Sequence, residues 1–144
     1  MPQTPWTEDE VYLVMERAHS LALQGLYPEA AQIFAGVLAI DPRNRYCRNA
    51  LATLILLLGD PENSLAVADE GLQQLSAEPC YHARRAEALI AQRRFHDAQT
   101  EVRWLAENSD ESALQPLRLQ IEAGREGTSL PGTTSRPQPP ISQT

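Results

Sequence analysis

Three segments of this chain align without a gap when each is shifted by 34 residues: Gly25-Leu26-Tyr27-Pro28-Glu29-Ala30, Gly59-Asp60-Pro61-Glu62-Asn63-Ser64 and Arg93-Arg94-Phe95-His96-Asp97-Ala98. The same shift aligns Ala18 with Ala52 and Ala86, and Leu21 with Ile55 and Leu89. A small residue followed three positions later by a large aliphatic one belongs to a single helical face. One unit of this size cannot bury that face alone, so neighbouring units have to cover it and the repeat demands a stack. With 144 residues, 42% hydrophobic and 22% charged, the chain suffices for one small domain and not for two ordinary ones.

Thirty-four residues is the period of the tetratricopeptide repeat, and residues 11–44, 45–78 and 79–112 resemble three such units. In the first, Ala18, Leu21, Gly25-x-Tyr27, Glu29-Ala30, Phe34 and Ile40-Asp41-Pro42 fall where that pattern expects them; the later units keep fewer matches. The resemblance implies an all-α, right-handed superhelical stack of three helix hairpins closed by a C-terminal capping helix. The physical logic is visible in the residues. Ala18 and Ala30 remove bulk where two helices cross, Leu21 and Phe34 fill the grooves beside the crossing, and Gly25 and Gly59 suit left-handed helix ends. Pro42 stops a second helix, and Pro28 is tolerated in a first turn.

The boundaries follow from capping signals. Thr7 with Glu10 three residues later reads as a capping box, with Trp6 able to staple onto Val11, so residues 1–7 are a lead and the first helix begins near Glu8. The repeat domain is expected over 8–125, its capping helix over 113–124 carrying Leu114, Leu117 and Ile121 and stopping at Gly124. Residues 126–144, rich in Pro, Ser and Thr with only Leu130 and Ile141 as large aliphatics, are expected to be disordered.

Charge and composition exclude several function classes. Nineteen acidic against twelve basic residues give a net charge of −7, so no basic field exists to hold nucleic acid. All the basic residues are Arg, which removes a phosphate-loop lysine or a Schiff base; an Ala-, Leu- and Arg-rich chain of this kind also points to a GC-rich bacterial genome. Cys47 and Cys80 match no metal or redox spacing and read as reduced thiols. The longest apolar run, Leu54–Leu58, falls far short of a membrane span, and the N-terminus lacks a secretory pattern, so a cytoplasmic location is expected. No catalytic set is evident either: Cys80 and His82 point to different sides of a helix, His96 adjoins Asp97 in a turn, His19 is isolated, and the neighbouring carboxylates read as solvated surface. The expectation is a protein that is not an enzyme and needs no cofactor or metal.

Two features break the pattern. Arg17, Arg48, His82 and Arg85 stand at nominal core sites, where their stems are expected to snorkel past neighbours to solvent rather than to pair with acids. Leu54-Ile55-Leu56-Leu57-Leu58 cover a whole helix circumference, more than a one-sided helix requires, and call for additional cover.

In a tetratricopeptide stack the first helix of each unit lines the concave surface, and the resemblance carries that role to particular positions. Tyr12, Met15 and His19 fall there in the first unit, Tyr46, Asn49, Thr53 and Leu56 in the second, and Glu87 and Ile90 in the third. Tyrosines, a methionine and aliphatics with polar residues between them suit an extended apolar peptide or a partner helix. The branch of this fold that grips the C-terminal carboxylate of heat-shock chaperones uses Lys, Asn and Arg at such positions; a chain without Lys departs from it. Leu38-x-Ile40-Asp41, Ala86-Glu87-x-Leu89-Ile90 and Asp97-Ala98, with three units and acidic charge, are similar to the small type III secretion chaperones that hold translocator proteins. That resemblance implies a cytoplasmic, non-catalytic chaperone of virulence secretion whose groove shields an apolar segment of a secreted client. The alternatives are a scaffold or adaptor joining protein complexes, and a needle-subunit co-chaperone working with a helical partner. Only about seven residues precede the first unit, whereas translocator chaperones carry a further helix there, which leaves a homodimer open but disfavoured.

Overall fold

The computed structural model describes residues 6–109 and 114–127, and among them all regular structure is helical. Seven helices follow in order: α1 (Glu8–Leu23), α2 (Tyr27–Ile40), α3 (Arg45–Leu57), α4 (Pro61–Gln74), α5 (Pro79–Ala91), α6 (Phe95–Asn108) and α7 (Leu114–Glu126). Each packs against the next, while α3 also meets α5 and α5 meets α7, which sets these three helices along one side of the stack. The disordered tail expected over 126–144 lies, beyond Gly127, outside the described residues. None of the described helices is long and apolar enough to cross a bilayer.

Local chemistry sets the helix ends. Thr7 Oγ1 accepts from the Glu10 amide at 3.1 Å while Glu10 Oε2 accepts from the Thr7 amide at 3.2 Å, a reciprocal capping box. Asn44 and Asp60 cap α3 and α4 through their side chains, and Pro28, Pro61 and Pro79 occupy first turns where a missing N–H costs nothing. The turn inside each hairpin is one motif used three times. The amides of Leu26, Asp60 and Arg94 reach back to the carbonyls of Leu21, Ile55 and Leu89, with a left-handed residue just before each. That residue is Gly25 (φ 82°), Gly59 (φ 86°) and, in the third hairpin, Arg93 (φ 60°).

The 34-residue shift reappears as burial. Ala18, Ala52 and Ala86 are at most 1% exposed, and so are their crossing partners Ala30, Ser64 and Ala98. Ser64 keeps its place by donating its hydroxyl to the Ala52 carbonyl at 2.7 Å, which satisfies an otherwise costly buried oxygen. Around these crossings lie two cores: Phe34, Val37, Cys47, Leu51 and Leu54 at the N-terminal end, and Leu89, Val102 and Leu105 with Leu114, Leu117 and Ile121 of α7 at the other.

Several expectations need correction. α7 does not stop at Gly124 but continues to Glu126, with Gly127 (φ 71°) in the left-handed turn beyond it. Gly124 is required for a different reason, since the Phe95 ring occupies the space a Cβ would fill. The Leu54–Leu58 run is not wholly covered: Leu54 is buried, but Leu57 and Leu58 are 57% and 45% exposed at the end of α3.

The polar residues at core sites pair with acceptors instead of snorkelling, Arg17 alone of the four lying exposed. Arg48 is 3% exposed; its guanidinium donates to the Pro42 carbonyl (3.0 Å), the Val67 carbonyl (3.2 Å) and Glu70 (3.1 Å). Arg85 bridges Asp69 (2.8 Å) and Glu101 (2.7 Å), tying α5 to α4 and α6. His82 Nδ1 meets Glu101 at 2.6 Å, its Nε2 meets the Ser76 carbonyl at 2.8 Å, and its ring stacks on Trp104 with centroids 3.6 Å apart. A polar side chain persists at a core position only where such partners meet it, and each of these sites supplies them.

Candidate functional site

The residues singled out for the inner face divide into two chemically different halves. Tyr12, Met15 and His19 lie three and four apart on α1, hence on one face, and Tyr46 faces them from the first turn of α3. Together with Glu16 they line a hollow of about 470 Å³. Tyr12 and Tyr46 are 57% and 53% exposed, which is high for large aromatic side chains. Each is held in place. Tyr12 donates to Glu16 Oε1 at 2.9 Å, and this bond with the nearby carboxylate charge raises the phenol's pKa above its ordinary value. The hydroxyl of Tyr46 lies 3.5 Å from His19 Nδ1, and its ring tilts against Phe34 of the core, with centroids 6.3 Å apart. Asn44 Nδ2 points to the Met15 sulfur at 3.5 Å.

Toward the C-terminal end the same face becomes polar. Thr53 donates to the Asn49 carbonyl at 3.1 Å and accepts from Arg84 at 3.3 Å; Arg84 in turn grips Glu87 at 2.5 Å. Burial pushes the Glu87 carboxyl above the usual carboxylate value, with Arg84 opposing. Asn49 Oδ1 and Arg84 Nε are buried without a partner. Leu56 is half-buried, and Ile90, also half-buried, packs with Ala83 against the C-terminal core. The nine predicted residues fall into groups: four surround a hollow, three form a hydrogen-bonded chain with Arg84, and Leu56 and Ile90 belong to neither group.

Concave positions alone also miss part of the surface. A second hollow of about 580 Å³ shares Tyr12 and Met15 with the first and extends around the N-terminal edge to Trp6, Ile40 and Asn44, with Glu8, Asp9 and Asp41 also lining it. Its extra residues come from a helix cap and from the connection between hairpins, where no helical period operates. Trp6 was the usable signal, because a large aromatic just before an N-cap is seldom free of contacts; it also lines a smaller apolar cavity of about 220 Å³ with Val11.

The thiols offer no nucleophile. Cys47 donates to the Phe34 carbonyl at 2.8 Å and burial pushes its pKa to about 12, while burial and then Glu78 hold Cys80 at about 11. Among the described residues no three His, Cys, Asp or Glu side chains gather as metal ligands would.

No protein-family model matches the sequence, and no curated protein does. Solved structures do match. The first tetratricopeptide domain of Spaghetti (RPAP3), bound to the HSP90 peptide SRMEEVD, is similar with a TM-score of 0.70 at 18% identity, covering 81% of this chain and 94% of that one. The first such domain of human RPAP3 gives 0.68 at 16%, covering 81% and 95%. The Sgt2 tetratricopeptide domain of Aspergillus fumigatus gives 0.68 at 13%, covering 98% of each chain. Identities this low speak for architecture, and the architecture is the tetratricopeptide superhelical stack.

Proposed function

We propose that this tetratricopeptide stack is a non-catalytic protein-binding module, an adaptor whose inner face receives an extended or helical segment of a partner protein. The observation that carries the reading is the pair of exposed tyrosines, held by Glu16, His19 and Phe34 around an open hollow that Met15 also lines. Fixed aromatic surface of this kind is low in conformational entropy and favours binding. Likeness to domains of RPAP3 and Sgt2, one of them holding a peptide, supports the adaptor reading.

The ligand differs from the acidic HSP90 peptide held by Spaghetti. Arg84, a cation on this face, is already paired with Glu87, and no lysine exists to meet a terminal carboxylate. An apolar segment fits better. The narrower reading, a type III secretion chaperone for an apolar client segment, rests on the sequence resemblance and on this apolar half-groove. The nine inner-face residues are proposed contacts, with Tyr12, Met15, His19 and Tyr46 ahead of the others.

The test is affinity capture from the native cytosol by the wild-type protein and by Tyr12→Ala/Tyr46→Ala, with circular dichroism to check the fold. Loss of the same captured protein in a folded variant supports the inner face as the binding surface. Undiminished capture places binding elsewhere and overturns the reading. Capture of one secreted protein with an apolar segment would favour the chaperone form, and capture of folded assemblies the adaptor form.

A further inference from the structure

The edge hollow carries an unbalanced charge. Glu8, Asp9 and Asp41 line it beside Trp6, Tyr12 and Met15, and no arginine or histidine lines it with them. None of the ion pairs between described residues involves these three carboxylates; the paired acids, Asp69, Glu70, Glu78, Glu87, Asp97 and Glu101, all lie beyond α3. Glu8 and Asp9 gain something from the positive end of α1, but that is a partial charge and does not neutralise them. The surrounding surface is aromatic and apolar, a setting that welcomes a cation on ring faces and the alkyl stem that carries it.

From this complementarity we infer that the edge hollow takes a basic, apolar segment of a partner protein. One Arg or Lys head sits toward Glu8, Asp9 and Asp41, and the adjoining apolar side chains rest on Trp6, Tyr12 and Met15 before the segment continues into the tyrosine hollow. The inference deepens the binding function proposed above and rests on it. It selects against acidic segments, whose charge would meet three carboxylates that form no ion pair with a described residue, in a protein of net charge −7.

A display library of random dodecapeptides, selected against the purified full chain, tests it directly. The expected result is enrichment of sequences that combine Arg or Lys with apolar residues. The best of them, measured by fluorescence anisotropy, should weaken about three- to tenfold in Asp9→Asn/Asp41→Asn, with a comparable loss on raising salt in the wild type, as solvent-screened ion pairs require. Measuring the salt dependence on the wild type keeps the test independent of the variant's folding. Binding should also fall in Tyr12→Ala. Enrichment of apolar peptides without basic residues, lost in Tyr12→Ala, overturns the basic specificity and leaves the groove intact. Failure to enrich any peptide overturns both. Basic peptides indifferent to Tyr12→Ala would reveal plain charge attraction and likewise overturn the inference.

Discussion

Arg48 shows how a single residue can run against its position and still be required. Its guanidinium satisfies two main-chain carbonyls where the helices of the second hairpin meet the preceding connection, and its stem lies where Gly71 leaves room, 2.7 Å from the site of a Cβ. Arg48→Ala should therefore cost about 3 kcal/mol in urea unfolding, because buried acceptors lose their donor. Glu70→Gln should cost less than about 1 kcal/mol, because its side chain is 67% exposed and its pairing is screened. The sequence marked Arg48, His82 and Arg85 as misfits but not how they are accommodated, since acceptors such as Pro42, Val67 and Ser76 are backbone atoms brought near only by the fold. Glu87 supplies a pH signature. Burial raises its folded pKa above the usual 4.5, so the folded chain binds that proton more tightly than the unfolded one. The resulting stabilisation is complete below 4.5 and is lost as pH rises through the raised folded value. Compared with Glu87→Gln, the wild type should gain stability on acidification across that window, as read from urea midpoints measured at successive pH values.

At the scale of the element, the hairpin turns separate backbone demands from packing demands. Gly25 has open space around its Cβ position and φ of 82°, so Gly25→Ala should cost about 1 kcal/mol, wholly from the left-handed backbone. Gly71 is helical, yet a Cβ there would meet Tyr81 and Arg48 at 2.7 Å, and Gly71→Ala should cost about 2 kcal/mol or more through overpacking. Thermal melts of the two variants should rank them in that order. Helix starts and hairpin turns were legible in the sequence because a cap, a proline or a glycine acts over three or four residues. The end of α7 was not, because Gly124 answers to the Phe95 ring from another hairpin and only Gly127 answers to the local turn. Arg93 was equally hidden: nothing local requires an arginine at φ 60°, but its guanidinium donates to the Gly124 carbonyl at 3.1 Å and lies over Phe95, 5.3 Å from the ring centroid.

For the molecule as a whole, the repeat period announced the stack, while the inner face could be read only by position. Position named the residues of the tyrosine hollow and Ile90 alike, although the surroundings of Ile90 depend on α7. That helix closes the C-terminal core with Leu114, Leu117 and Ile121, so Leu117→Ala should cost about 3 kcal/mol and speed amide exchange in α5 and α6 before α1 and α2. The contact between the second and third hairpins is of another kind from that between the first and second. Arg85 to Asp69 and Arg45 to Glu78, at 2.8 and 2.7 Å, lace it with charge, whereas Phe34, Cys47 and Leu51 fill the earlier one with apolar atoms. A chain rebuilt with its second and third hairpins exchanged would keep every turn motif and set arginines against the alanine and phenylalanine surface of α2. Although assembled from one recurring motif, the molecule therefore has a reading direction, and its hairpins are no more interchangeable than words in a sentence.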